Sequence, residues 1–430
     1  MNPEKEKENE EKNSKHWAEN LAELAVEGRK APYIVSAGMT TSGPTHLGTL
    51  CEFLFPFAIS ECMKKAGNKN EFYFVADIYD AFDAIPRGFE QYKELLEPHL
   101  GKPLSEVPDP LGCCPSFGDH FLKESLEVME KLGVKANVVK ASDIYKRGKW
   151  DDYAKFFLKN KEKAREIVSK TSLNSELPKD WSPLMVVCEN CGKIATTSIT
   201  ESTEDSYKYS CIKKLKYVSG CGHKGENKLA DHKYKLTWRL HWPTWMDYFK
   251  TSIEGAGMDH HTRGGSWDTC KEVIEQLFKK KPPIGFKFGF VLLGGKKYSK
   301  SQGIGMGVRD ILNFVPPEVI KYALFRPDVQ ENKDFDPTGN KLLLLMDDFV
   351  YASALNIDEP LSRADRKKSV AFALASNGKI NWKAQFADII LYHQIYRDWK
   401  KVGEMLKDPK GVEYLRPFIE NWLKAGYAPE

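Results

Sequence analysis

Pro32-Tyr33-Ile34-Val35-Ser36, then Gly38-Met39-Thr40-Thr41-Ser42-Gly43-Pro44-Thr45-His46-Leu47-Gly48, then an apolar run to residue 66: this stretch decides the fold. The first segment is aromatic and β-branched and reads as a buried strand. The Gly/Ser/Pro segment reads as a turn. Residues 46–66 read as a helix interrupted by Pro56. Glycines let backbone approach a ligand closely. A helix N-terminus offers free N–H groups and positive potential to phosphate. His46 can donate to a phosphate oxygen. No Gly-x4-Gly-Lys-Ser/Thr run occurs, which argues against a P-loop nucleotide site.

Outward from this stretch the same texture repeats. Residues 17–30 form a predicted helix with Trp17, Leu21, Leu24 and Ala25 on one face. Residues 71–76 and 136–140 read as strands, and 117–132 as an amphipathic helix. Strands alternating with helices predict βαβ units and a parallel sheet, so the fold class is α/β. Residues 150–170 read as one Lys-rich helix, and 185–226 as short polar strands around cysteines. The α/β texture returns from 236 to 293, and the chain is mostly helical after Pro316. The expected organisation is a disordered charged tail (1–15), a first half-domain (16–140), an inserted module (141–235), a second half-domain (236–295), a loop with a linking helical segment (296–350), and a helical C-terminal region (351–430).

At 430 residues there is length for two or three domains with cores. No apolar run approaches the ~20 residues of a membrane helix, and the Glu/Lys/Asn-rich start lacks signal-peptide character, so no membrane role and a cytoplasmic location are expected. A net charge of +4 means that a polyanion would need a local basic face, such as 146–170 or 213–216.

Lys297-Tyr298-Ser299-Lys300-Ser301 follows a strand-like run (286–293) and Gly294-Gly295. Its two cations and two hydroxyls suit the β and γ phosphates of a nucleotide and a departing pyrophosphate. Between the two segments, Asp259 suits ribose hydroxyls and Gly264-Gly265 can admit an adenine edge. Ser266 or Asp268 is expected to cap a helix starting at Trp267. The predicted ATP set is therefore Ser42, Gly43, His46, Gly48, Asp259, Gly264, Gly265, Ser266, Asp268, Lys297, Ser299 and Lys300. His46, Gly48, Lys297 and Lys300 are its catalytic members.

Cys188-x2-Cys191 with Cys211 and Cys221 has the spacing of a tetrahedral zinc site. His223 is an alternative to Cys211 as fourth ligand. A small cysteine-bearing insertion is expected to lack a core of its own, so metal would fold it. Asp109, Cys113, Cys114 and His120 lie close in sequence; read alone, they are two thiols and a helix-start histidine.

Taken in order, the turn at 38–49, the segment at 257–268 and the loop at 297–301 resemble the signatures of class I aminoacyl-tRNA synthetases. With His16-Trp17-Ala18, Val107-Pro108-Asp109-Pro110, Trp238 to Pro243, and Pro316 to Pro327, the chain resembles the archaeal-type class I lysyl-tRNA synthetases. The resemblance implies a Rossmann-type catalytic domain with an inserted zinc-bearing module, and a C-terminal α-helical, partial anticodon-binding region. It implies ATP, Mg²⁺ and Zn²⁺ as cofactors, with L-lysine and tRNA(Lys) as partners. Gly38, Thr40, Trp238 and His260 would contact the amino acid, and Asp109, Cys113, Cys114 and His120 would hold a second zinc. A second chain could supply a missing part of the anticodon region.

Three positions depart from the pattern. Thr49 replaces a His or Asn that could donate to phosphate, and Tyr298 replaces Met. Lys287 stands where a Glu is expected near the substrate ammonium, and a cation there would repel lysine. A different nucleotidylyltransferase of the His-x-Gly-His type, or a non-catalytic or altered-specificity tRNA-binding protein, are the rival readings.

Overall fold

The computed structural model describes residues 15–173, 176–178, 181–297 and 307–428. Its centre is a five-stranded, all-parallel sheet of β1 (Tyr33–Met39), β2 (Asn70–Ala76), β3 (Asn137–Lys140), β4 (Ile253–Gly257) and β5 (Ile284–Phe288). The strand order is β3-β2-β1-β4-β5, a doubly wound Rossmann-type arrangement whose direction reverses between β1 and β4. The predicted α/β class and parallel sheet are therefore present.

Helix α1 (Trp17–Val26) precedes the sheet, α2 (Leu47–Lys65) joins β1 to β2, and α3 (Phe117–Lys131) leads into β3. Contrary to expectation, α2 runs unbroken through Pro56, which is itself buried. Proline has no N–H to give the Glu52 carbonyl, but buried neighbours on both sides hold the helix together. The His16-Trp17 pair proves to be an anchor. His16 Nε2 and Trp17 Nε1 lie 2.9 and 2.8 Å from the Phe325 carbonyl, at the end of helix Pro317–Phe325. Burial pushes the His16 imidazole down to about 4, so it sits there neutral.

Residues 141–252 intervene between β3 and β4. The predicted long helix over 150–170 is two helices, Asp151–Lys159 and Lys161–Thr171. They break at Asn160, whose amide donates to the Phe156 carbonyl at 2.8 Å. Beyond them, Thr197–Ser202, Ser206–Cys211 and Lys224–Lys228 form an antiparallel three-stranded sheet, and Leu184–Val186 pairs with Tyr234–Leu236. The idea of a coreless insertion is corrected. Cys188, Tyr207, Tyr209 and Cys211 are buried in one hydrophobic cluster with Val75 and Ala256 of the central sheet. Helices α4 (Trp238–Phe249) and α5 (Ser266–Glu272) close that side.

The strand-like run 286–293 divides at Gly289, where an added Cβ would run into the Glu331 carbonyl oxygen. After the division, Val291–Leu293 pairs with Lys296–Lys297 and Lys333–Asp334. The C-terminal region is helical as predicted, over Gly339–Ser353, Arg363–Ser376, Phe386–Tyr396, Trp399–Met405 and Pro409–Lys424. It shares a core with α1 and α2. Among the described residues no helix is long and apolar enough to cross a membrane.

Candidate active site and metal centres

Open parallel sheets bind ligands beyond the C-terminal strand ends, where the winding reverses. Here that place is occupied by a cavity of about 380 Å³ between β1 and β4. Gly38 and Met39 line it from β1 and Thr40 from the turn that follows, Glu254, Gly255 and Ala256 from β4, Glu52 from α2, and Trp238 and Trp242 from α4. Asp80 and His260 complete the wall. All four residues predicted to contact an amino acid thus meet in one cavity. Gly38 is also fixed by packing: a Cβ there would lie 2.7 Å from the Val75 carbonyl oxygen and 2.8 Å from Trp245.

Three carboxylates in this lining were missed by sequence reasoning. Glu254 accepts from Trp242 Nε1 at 3.0 Å and from Ser36 Oγ, and burial pushes its carboxyl up to about 7. Burial, with the charges of Glu254 and Asp259 adding to it, pushes Glu52 up to about 8. Asp80 Oδ2 accepts from Thr40 Oγ1 at 3.3 Å. The missed signal was local: Glu52 is the only charged residue between Leu47 and Ser60. Across the cavity, Trp238 and Trp242 stack at 5.4 Å, and Trp242 meets His260 edge-on at 5.4 Å. Burial holds His260 below the usual imidazole range. The cavity combines three carboxyl groups with flat indole walls, a setting for an organic cation on an aliphatic stem.

Lys287 does not line this cavity. It pairs with Ala256 across β5 and β4, and its charge is felt by His261, whose imidazole burial lowers to about 4. The expected clash between Lys287 and a substrate ammonium is therefore withdrawn: the acidic groups come from α2, the turn after β2, and β4.

Beside the cavity lies the turn into α2. Thr41 Oγ1 donates to the Gly118 carbonyl at 3.0 Å and Thr45 N to Glu124 Oε1 at 2.7 Å, so α3 holds the turn. His46 is the N-cap of α2. Its Nδ1 accepts from Thr49 N at 3.3 Å, which places the ring proton on Nε2 in the neutral form. Thr49 Oγ1 accepts from His46 N at 3.0 Å and donates to the His46 carbonyl at 2.7 Å. The departure at Thr49 is thus absorbed in a reciprocal capping box. Gly48 packs underneath: a Cβ there would lie 3.0 Å from the His46 ring and would make the ring shift.

Of the remaining predicted nucleotide residues, Asp259, Gly264, Gly265, Ser266 and Asp268 lie at or just before the start of α5. Asp259 lies in a short 3₁₀ turn, Met258–His261. Arg239 donates to the Gly264 carbonyl at 2.8 Å, to the Gly265 carbonyl at 3.2 Å and to Thr269 Oγ1 at 2.7 Å. The expected cap is not Ser266 or Asp268. Gly265 takes the N-cap position, while Ser266 Oγ accepts from Trp238 Nε1 at 3.0 Å. Asp268 is partly exposed, 3.8 Å from Lys271. The backbone of Lys297 ends a strand, and Tyr298, Ser299, Lys300 and Ser301 lie outside the described residues.

Comparison with known proteins agrees with this geometry. The family described as tRNA synthetases class I (K) matches residues 15–375. This chain belongs to that family. Among curated relatives, the lysine–tRNA ligase of Methanosarcina barkeri (strain Fusaro) is 31% identical over 424 residues, covering 96% of this chain and 76% of that protein. That of Archaeoglobus fulgidus is 30% identical, over 96% of this chain and 81% of its own. That of Methanocaldococcus jannaschii is 37% identical over 331 residues, 75% of this chain and 60% of its own.

This class I synthetase chain also carries two clusters with the makeup of metal sites. The ligand atoms of Cys188, Cys191, Cys211 and Cys221 all lie within 4.8 Å of one another. Sγ separations of 3.7 Å for Cys188–Cys221 and for Cys191–Cys211 match the ~3.8 Å edge of a tetrahedron with ~2.3 Å metal–sulfur bonds. Of the two candidates for the fourth position, Cys211 lies within this set and His223 does not. Its backbone carbonyl instead accepts from Cys211 N at 2.8 Å.

The second cluster is Asp109, Cys113, Cys114 and His120. Cys113 Sγ lies 3.1 Å from Cys114 Sγ and 3.2 Å from His120 Nδ1, which is 3.4 Å from Asp109 Oδ1. Asp109 also accepts from the backbone N–H groups of Leu111, Cys113 and Cys114, at 3.1, 2.9 and 3.0 Å, so the loop is folded around it.

Proposed function

We propose that this protein activates L-lysine with ATP and transfers it to the terminal adenosine of tRNA(Lys), as the lysine–tRNA ligase name of its relatives implies. The observation that carries the reading is the carboxylate-lined, indole-walled cavity at the switch point, directly beside the His46 helix N-terminus. The ε-ammonium would sit against Glu52 and Glu254, the methylene chain along Trp238 and Trp242, and the α-ammonium against Asp80. That orientation turns the substrate carboxylate toward Thr40 and the α2 N-terminus.

Lysine's carboxylate is already ionised at neutral pH, so no general base is needed. Its oxygen attacks the α-phosphorus of ATP, the bond to the β-phosphate oxygen breaks, and pyrophosphate leaves. The gain comes from positioning and from groups aimed at developing charge. His46 Nε2–H and the α2 backbone N–H groups fill that role, with Ser42, Gly43 and Gly48 admitting the phosphates. Asp259, Gly264, Gly265, Ser266 and Asp268 would hold the nucleoside, and Lys297, Ser299 and Lys300 the departing phosphates. Mg²⁺ on ATP supplies further charge neutralisation. A hydroxyl of the tRNA's terminal ribose then attacks the acyl carbon and AMP departs.

Zn²⁺ fits the four-cysteine cluster in donor type and spacing, and Asp109, Cys113, Cys114 and His120 would hold a second ion. All four positions in each are protein ligands, so these ions would be structural. Charging of total tRNA with radiolabelled lysine tests the reading: acid-stable lysyl-tRNA is expected, and adenylate formation without transfer to any tRNA would overturn the ligase assignment.

A further inference from the structure

We propose that Lys235 is a positioning residue for the amino-acid substrate, acting through Asp80; this rests on the reading of the cavity as the amino-acid site. Lys235 lies on Tyr234–Leu236, the strand by which the inserted segment returns toward α4. Its side chain is 1% exposed, with Nζ 2.7 Å from Asp77 Oδ2 and 3.0 Å from Asp80 Oδ1. Burial disfavours its charge, but the two carboxylates outweigh that and hold it above the usual lysine range.

The two acceptors differ. Asp77 is 1% exposed and enclosed: His241 Nε2 lies 3.4 Å from its Oδ2, and His241 Nδ1 lies 2.8 Å from the Tyr145 hydroxyl. That hydroxyl accepts from Leu236 N at 3.0 Å, so the strand carrying Lys235 is itself tied into the network. Asp80 is 41% exposed and lines the cavity, its second oxygen 3.3 Å from Thr40 Oγ1. Two carboxylates and one ammonium leave one net negative charge, and the geometry delivers it to the cavity wall at Asp80.

A buried ion pair adds little to stability compared with apolar packing. Its effect here is directional: Lys235 fixes one Asp80 oxygen, so the other is held toward the place assigned to the substrate α-ammonium. Removing the ammonium would leave Asp77 and Asp80 repelling each other, and Asp80 would swing away.

The test uses the full chain in lysine-dependent ATP–pyrophosphate exchange. Lys235→Met is expected to raise KM for lysine by about tenfold or more, leaving KM for ATP within about twofold and kcat at saturating lysine nearly unchanged. Two inhibitors locate the effect. Norleucine, which keeps the α-ammonium, should lose affinity in the variant, whereas aminocaproate, which lacks it, should bind as in the parent. Equal losses for both, or a fall in kcat with KM unchanged, would overturn the inference. Should Lys235→Met not fold, Lys235→Met combined with Asp77→Asn preserves the net charge while still removing the buried donor that fixes Asp80. The same selective rise is expected there, and an unchanged KM would refute the role. If the parent chain shows no lysine-dependent exchange, the cavity assignment itself fails instead.

Discussion

His46 and Gly307 form an antiparallel β-bridge, reinforced by Val308 N donating to the Thr45 carbonyl at 3.1 Å. The segment that follows the Lys/Ser loop is therefore tied to the residue that caps α2. Gly307 and Val308, far from the turn at 38–49 in sequence, are thereby backbone neighbours of Thr45 and His46. The bridge and the Thr49 capping box fix the His46 backbone from both sides, so only its ring is left to respond to local change.

Gly48→Ala exploits this. The added Cβ would lie 3.0 Å from the imidazole and must rotate it away from its present direction. Replacing glycine within a helix gains about 0.5–1 kcal/mol. The variant should be as stable as the parent or more so by thermal melting, with kcat for adenylate formation reduced by about 10²-fold.

Glu52→Gln should separate stability from function. An acid whose folded pKa is raised holds protons that the unfolded chain has lost, so its contribution to stability falls as pH rises from about 4.5 toward about 8. Gln removes that cost, and a gain of about 2 kcal/mol at pH 8, vanishing near pH 4.5, is expected from denaturant titrations. Lysine affinity should fall by about 10²-fold at the same time, because the ammonium loses a desolvated carboxylate.

Binding of an ammonium requires ionised partners. With Glu254 near 7 and Glu52 near 8 before substrate arrives, lysine must displace protons. The kcat/KM for lysine should rise from pH 6 to about 8.5 and then level off, whereas kcat at saturating lysine should change much less. A flat kcat/KM profile across that range would remove the two glutamates from the substrate contact.

Metal analysis distinguishes the ligands. Cys211→Ser should lose one equivalent of zinc per chain and melt at lower temperature, because Cys211 is wholly buried in the core shared with the central sheet. His223→Ala should retain the metal.

Much of the catalytic frame was legible in the sequence, because it is written locally. The strand–turn–helix around His46 depends on adjacent residues, and cysteine spacing alone picked out the first cluster. Gly38, Thr40, Trp238 and His260, carried over by resemblance, converge as expected. Asp80 and Glu254 were illegible because a turn and a strand bring them to the cavity only through the sheet order, whereas Glu52 stood out as the one charge in an apolar run. Lys287 misled for the same reason: nothing in one dimension says that β5 is the edge strand and contributes no residue to the cavity lining. Pro56 and the buried cysteines show tertiary packing overriding local rules.

The most direct test is ATP–pyrophosphate exchange screened over the twenty amino acids. The account predicts exchange with L-lysine and with no other amino acid at comparable concentration. Exchange driven by an uncharged or acidic amino acid, or none with any, would contradict it.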